Sequence, residues 1–128
     1  MAHQTPDHLK YTIEHEWALL EDDVLTLGIT DFAQSSLGDI VFMELPDVDT
    51  KIGKGESFGV VESIKSVSDL YSPVTGTIIE SNSDLVETPE QCNTAPYKSW
   101  LIKVKLADVS EIDTLLSVTD YHKHCEEA

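Results

Sequence analysis

Short apolar segments rich in β-branched residues, separated by turn signals about every ten residues, run along most of this chain. That rhythm is the pattern of an all-β sandwich or barrel. It predicts strands at 24–30, 39–45, 57–64, 66–71, 76–81 and 100–106. In the last of these, Trp100, Ile102, Val104 and Leu106 fall on one face and Lys103 and Lys105 on the other. A half-buried strand of period two requires this alternation.

Helices are expected to be few and short. Thr30 followed by DFAQSSL and closed by Gly38 predicts about two turns. Thr88-Pro89-Glu90-Gln91 reads as a second start, with Thr88 capping, Pro89 at the first helical position and Gln91 reaching back to the cap. Ser110 is expected to cap EIDTLL, and a further stretch runs through DYHKHCEE. Such a tail would lay Ile112, Leu115 and Leu116 on the sandwich. The expected fold class is mainly β, with few short helices and a helical carboxyl-terminal tail. No flexible linker interrupts the chain, so residues 1–128 read as one domain, with a core at about 9–107 and the tail at about 108–126. A faint echo between 38–50 and 76–88, each a Gly-led strand and an acidic turn, hints at two similar halves.

Charge excludes some functions. Eight Lys+Arg against 24 Asp+Glu give a net charge of −16, which repels phosphate backbones and anionic headgroups, so neither nucleic acid nor a membrane is an expected partner. The surplus either steers the chain toward basic faces of other proteins or keeps a small monomer solvated, and both remain open. No apolar run approaches the ~20 residues that span a bilayer. The start, MAHQTPDHLKYT, has no targeting pattern. The expected place is the cytoplasm, or the mitochondrial matrix for a processed organellar protein. Cys92 and Cys125, far apart and without a CxxC, suggest reduced thiols. HKHC at 122–125 lacks a second ligand cluster and reads as surface.

The informative stretch is 57–80, where two strand-like runs meet near Lys65. An exposed lysine at such a junction is open to a modifying enzyme, although a lone lysine at a turn more often serves solubility. His3, His8, His15, His122 and His124 form no nucleophile or metal constellation with it, so a Schiff-base or general-base enzyme is not expected. IGKGES at 52–57 lacks the ending of a phosphate loop and reads as a turn.

ESIKSVSDLYSP at 62–73 resembles the lipoyl-lysine hairpin of the glycine cleavage system H protein family. EHEW at 14–17, GIT at 28–30, LGDIVFMELP at 37–46, SPVTG at 72–76 and PYKSWLIKVK at 96–105 are similar to further segments of that family, in the same order. Biotin carriers place Met beside the lysine, and lipoyl domains of 2-oxoacid dehydrogenases typically show Asp-Lys-Ala; here the neighbours are Ile64 and Ser66. One departure is a missing glycine in Pro96-Tyr97-Lys98-Ser99-Trp100, which leaves that loop's conformation open.

The resemblance implies a lipoyl/biotinyl-type barrel-sandwich hybrid with lipoate joined to Lys65. It implies that Glu62 and Gly76 help a lipoate ligase or lipoyltransferase recognise its target, although a surface carboxylate and a turn glycine at positive φ explain them as well. It implies a swinging arm of roughly 14 Å reach. That arm takes an aminomethyl group from a pyridoxal-phosphate glycine decarboxylase to a tetrahydrofolate-dependent aminomethyltransferase, and dihydrolipoamide dehydrogenase then reoxidises it. The chain itself would be a non-catalytic carrier. Glu16 and Asp69 occupy the positions that would hold the loaded arm's ammonium, or are simply two of the 24 acidic residues. The alternative within the fold is an H-like donor of lipoyl groups for other enzymes or for redox defence.

Overall fold

The computed structural model describes residues 4–127; His3 lies outside them. Strands run at β1 (Lys10–Tyr11), β2 (Glu16–Glu21), β3 (Val24–Ile29), β4 (Ile40–Glu44), β5 (Lys51–Ile52), β6 (Ser57–Ser63), β7 (Val67–Tyr71), β8 (Gly76–Ser81) and β9 (Ile102–Leu106). Helices are α1 (Asp31–Leu37), α2 (Ser83–Glu87), α3 (Gln91–Thr94) and α4 (Val118–Glu127), with a 3-10 turn at Val109–Thr114. A six-stranded sheet has the order β1-β2-β3-β9-β8-β5, and a three-stranded sheet has the order β4-β6-β7. All strand pairs are antiparallel. The mainly β fold class holds. No helix among the described residues is long and apolar enough to cross a membrane.

The core lies between the sheets. Leu25, Leu27, Ile78, Ile102 and Val104 from the large sheet meet Ile40, Met43, Val61 and Leu70 from the small one, all buried. The expected alternation holds for Ile102, Val104 and Leu106, with Lys103 and Lys105 outward. Trp100 precedes the strand and packs in a second cluster, where the Lys103 ammonium stands 5.1 Å from its ring centroid. That cluster joins Leu9, Tyr11, Trp17 and Tyr121. It explains why β2 was not expected: Ala18 and Leu20 pack on the main core, while Trp17 and Leu19 pack on the second cluster. A strand buried on both faces at its start shows no period of two. Gly28 pairs with Trp17, and a side chain there would collide with the indole.

Two caps differ from expectation. Thr30 does cap α1, accepting the Ala33 N–H at 3.1 Å, and Gly38 closes that helix at φ 81°. Thr88, however, ends α2, its N–H donating to the Asp84 carbonyl, because SDLVE is already helical; α3 starts after Glu90. Ser110 does not cap either. Its N–H and hydroxyl both donate to Asp108, at 3.0 and 2.7 Å. A carboxylate two residues earlier is the stronger acceptor and takes the capping role. The tail packs as expected, Ile112 and Leu115 on the main core and Leu116 on the second cluster, with Leu116 bridged to Tyr11. The glycine-less loop needs no positive φ: Ser99 donates to the Ala95 carbonyl at 2.8 Å, and the Trp17 indole N–H to that of Pro96 at 3.0 Å. The echoing segments lie in different sheets, β4 and β8. No disulfide joins Cys92, buried in the core, to Cys125 on α4.

Tyr121 fastens α4. Its ring stacks on Tyr11 at 4.5 Å, and its hydroxyl lies 2.7 Å from Thr30 Oγ1 and 2.9 Å from His15 Nδ1. Tyr121→Phe leaves both without this partner, at a cost of about 1–3 kcal/mol. Urea unfolding should therefore show a lower midpoint for Tyr121→Phe, with α4 the first segment to exchange amide hydrogens; an unchanged midpoint would remove this role.

Candidate functional site

Strands β6 and β7 form a hairpin whose link is Ile64-Lys65-Ser66. Ser63 builds the turn, its hydroxyl accepting the Lys65 N–H at 3.2 Å and the Ser66 N–H at 3.1 Å. The Ile64 N–H donates to the Asp39 carbonyl at 3.0 Å and ties the tip to the start of β4. Val61 and Leu70 point into the core, which forces Val60, Glu62, Val67 and Asp69 outward. Lys65 stands exposed at the tip. Its stem crosses Gly38, where a Cβ would come within 3.2 Å of Lys65 Cε. Gly38 is favoured by its positive φ, and a side chain there would also press on the lysine stem. Every basic residue of this chain except histidine is a lysine. Lys103 pairs with Glu80 at 3.6 Å and Lys105 with Asp23 at 3.9 Å, whereas no carboxylate among the described residues pairs with Lys65.

Glu62 lies half-buried on the outer face, flanked in register by Phe42 and Val67. Gly76 is not a turn glycine at positive φ; it opens β8, between Ile52 of β5 and Leu106 of β9. A side chain there would strike the Lys105 carbonyl oxygen, so close backbone approach demands glycine.

At the other end of β7, a cavity of about 470 Å³ is lined by Thr12, Ile13, Glu16, Lys54, Tyr71 and Leu116, among others. Glu16 opens β2 on its core-facing side and is 2% exposed. The Thr12 hydroxyl donates to its carboxyl at 3.4 Å and accepts its N–H at 3.1 Å. Burial pushes the Glu16 carboxyl up to about 8, against the pull of the Thr12 hydroxyl; the neighbouring Glu14 charge adds to the rise and a backbone contact to Tyr71 lowers it. Asp69 is exposed on the outer face of β7 and does not line the cavity. Tyr71 connects the two, lining the cavity while its hydroxyl sits 3.5 Å from the Asp69 carboxylate. Thr12, Lys54 and Tyr71 carry no signal as single residues in the sequence. Gly38 was legible in the sequence as the end of a helix, and its place under the Lys65 stem was not.

The cavity sets Glu16 and Glu14 in a largely apolar wall that also carries Lys54, whose ammonium lies 3.4 Å from the Thr114 hydroxyl, and an ammonium brought to Glu16 would favour its ionised form. In the empty protein the sign is opposite. The folded chain holds the Glu16 proton above the ordinary carboxyl range, so this group's contribution is full below about pH 4.5 and is lost as pH rises through about 8. Denaturant unfolding from pH 5 to 9 should show wild-type stability falling relative to Glu16→Gln, by a few kcal/mol across the window. Parallel profiles for the two proteins would place the Glu16 pKa near its ordinary value.

Comparison with known proteins agrees with this geometry. The family described as Glycine cleavage H-protein matches residues 9–128. A glycine cleavage system H protein of Staphylococcus haemolyticus is 53% identical over 117 residues, covering 91% of this chain and 93% of its own. One from Carboxydothermus hydrogenoformans is 53% identical over 123 residues, covering 95% of both. The crystal structure of a glycine cleavage system H protein from Mycobacterium marinum superposes with a TM-score of 0.86 at 38% identity, over 93% of this chain and 97% of that one. Fold, sequence and coverage agree, and the chain belongs to the glycine cleavage H-protein family.

Proposed function

We propose that Lys65 carries a lipoyl group and that the outer face of β7 leads its arm to the Glu16 cavity. The observation that carries this reading is that β7, entered from an exposed hairpin-tip lysine, bears an outward Asp69 and then Tyr71 at the cavity. At ~3.4 Å per residue, Asp69 lies about 14 Å and Tyr71 about 20 Å along the chain from Lys65. A lipoyl-lysine arm reaches roughly 14 Å. Its end therefore comes level with Asp69, and the cavity is met there through Tyr71, which lines it and whose hydroxyl sits 3.5 Å from the Asp69 carboxylate.

The chain is the carrier component of the glycine cleavage system and not a catalyst. The lipoyl disulfide supplies the chemistry when present, accepting an aminomethyl group and two electrons that a flavin enzyme later removes. Its partners are the pyridoxal-phosphate glycine decarboxylase, the tetrahydrofolate-dependent aminomethyltransferase and dihydrolipoamide dehydrogenase. A lipoate ligase or lipoyltransferase, helped by Glu62 and Gly76, loads Lys65.

The residues of this chain bind and shelter the cargo. Glu16, protonated in the empty cavity, releases its proton to solvent when an ammonium docks and becomes its counter-ion. Leu115 and Leu116 give the cavity an apolar wall, and Asp69 marks the path outside. A buried charge-assisted contact is worth roughly 1.5–3 kcal/mol, so Glu16→Gln should speed release of ammonia and formaldehyde from the glycine-loaded protein by about ten- to a hundredfold. Asp69→Asn, at an exposed position, should give a change of about fivefold or less. Timed assay of both products from purified loaded protein checks this. Release from Glu16→Gln at the wild-type rate would end the sheltering role.

A further inference from the structure

Beside Lys65 the small sheet leaves a large apolar surface bare. Val41 is 58% exposed, Phe42 45%, Ile64 69% and Val67 65%. A bulge between Ile40 and Phe42 breaks the register of β4 with β6. Simple alternation would bury one of two successive residues, but here Val41 and Phe42 both face solvent. The patch is held rigidly to the lysine. Phe42, Glu62 and Val67 stand in one cross-strand row, and the Ile64 N–H bonds to Asp39, next to β4. Strands β4, β6 and β7 also bring Glu44, Glu62 and Asp69 to this region and contain no cation.

We propose that Val41, Phe42, Ile64 and Val67 are the seat of the enzyme that acylates Lys65, which meets them with an apolar patch ringed by lysine or arginine. The inference rests on Lys65 being the acylated residue. Reach selects this partner among those that handle the arm. Enzymes that act on the dithiolane work at the end of an arm of roughly 14 Å and have no need to cover the hairpin. The acylating enzyme must bring an activated lipoyl carbonyl to Lys65 Nζ itself. The amide forms there, the activating group leaves the carbonyl carbon, and the nitrogen's proton passes to solvent. Its footprint therefore falls on the tip and the face beside it, and the acidic surroundings call for basic residues on its rim.

The test uses the full unacylated chain, a purified lipoate–protein ligase, lipoate and ATP. Val41→Thr and Phe42→Thr each leave a β-branched residue, suited to a strand, at the position. Each should raise the KM for the carrier about tenfold with kcat unchanged, as removal of a central apolar anchor does. Glu44→Gln should weaken the rise of KM with salt. Val109→Ser, an exposed valine after β9, should leave KM alone, and acetylation of Lys65 by N-hydroxysuccinimidyl acetate should proceed equally in all variants. Should Phe42→Thr melt early, Val67→Thr carries the same expectation. An unchanged KM in Val41→Thr and Phe42→Thr overturns the docking proposal. A fall confined to kcat, or slower reaction with the small reagent, overturns it too, since the patch would then act on the lysine and not on the enzyme. If the ligase modifies wild-type protein at Lys65 while the variants behave alike, docking alone fails; if it modifies a different lysine, the reading of Lys65 fails and the docking proposal with it.

Discussion

Face-to-face packing of the two sheets is the contact on which the rest depends. Val61 and Leu70 reach from the hairpin strands into a core shared with Ile78, Ile102 and Val104. Because side chains alternate along a strand, burying those two commits Val60, Glu62, Val67 and Asp69 to the outside. The hairpin cannot slip by one residue without exchanging the two sets. Its tip is then fixed by Ser63 and by the bond from Ile64 to Asp39, and the lysine stem lies across the bare backbone of Gly38. A mobile arm is useful to several enzymes only if its root is still, and here the root is tied to a packed core.

The same sandwich creates the cavity. Glu16 begins a strand whose first residues are buried on both faces, so its carboxyl ends up inside although the chain has 24 acidic residues. Leaving a carboxyl there costs stability as soon as it ionises, which is the expected cost of placing a cation's partner before the cation arrives. Thr12 steadies it without neutralising it. Elsewhere the anionic surface has no such tension, because exposed carboxylates are solvated. Acylation of Lys65 removes a positive charge and takes −16 to −17, so the loaded hairpin presents no basic side chain.

Much of the fold was legible where the two faces of an element differ in surroundings. Strand β9 showed its period because Lys103 and Lys105 face water while Ile102 and Val104 face the core. Strand β2 showed none because Trp17 and Ala18 are buried against different clusters. Capping was legible at Thr30, which accepts the Ala33 N–H, and misread at Ser110, whose own N–H is capped by Asp108 so that the turn begins two residues earlier. In the site, the hairpin lysine was visible from its flanking strands, but its role came from resemblance, since a turn lysine is ordinary by itself. The cavity was out of reach: Thr12, Lys54, Tyr71 and Leu116 are brought together from four separate parts of the chain.

The central claim is that one lysine of eight bears the prosthetic group, and the chain supplies its own controls. Lys10, Lys51, Lys54, Lys98, Lys103, Lys105 and Lys123 share the same polypeptide, solvent and enzyme. The most direct measurement is peptide mapping by mass spectrometry of protein produced with lipoate and a lipoate ligase. The account predicts lipoate on the peptide containing Lys65 and free amines at the other seven positions. Lipoate found on Lys51, Lys54 or any other lysine while Lys65 stays free would contradict it.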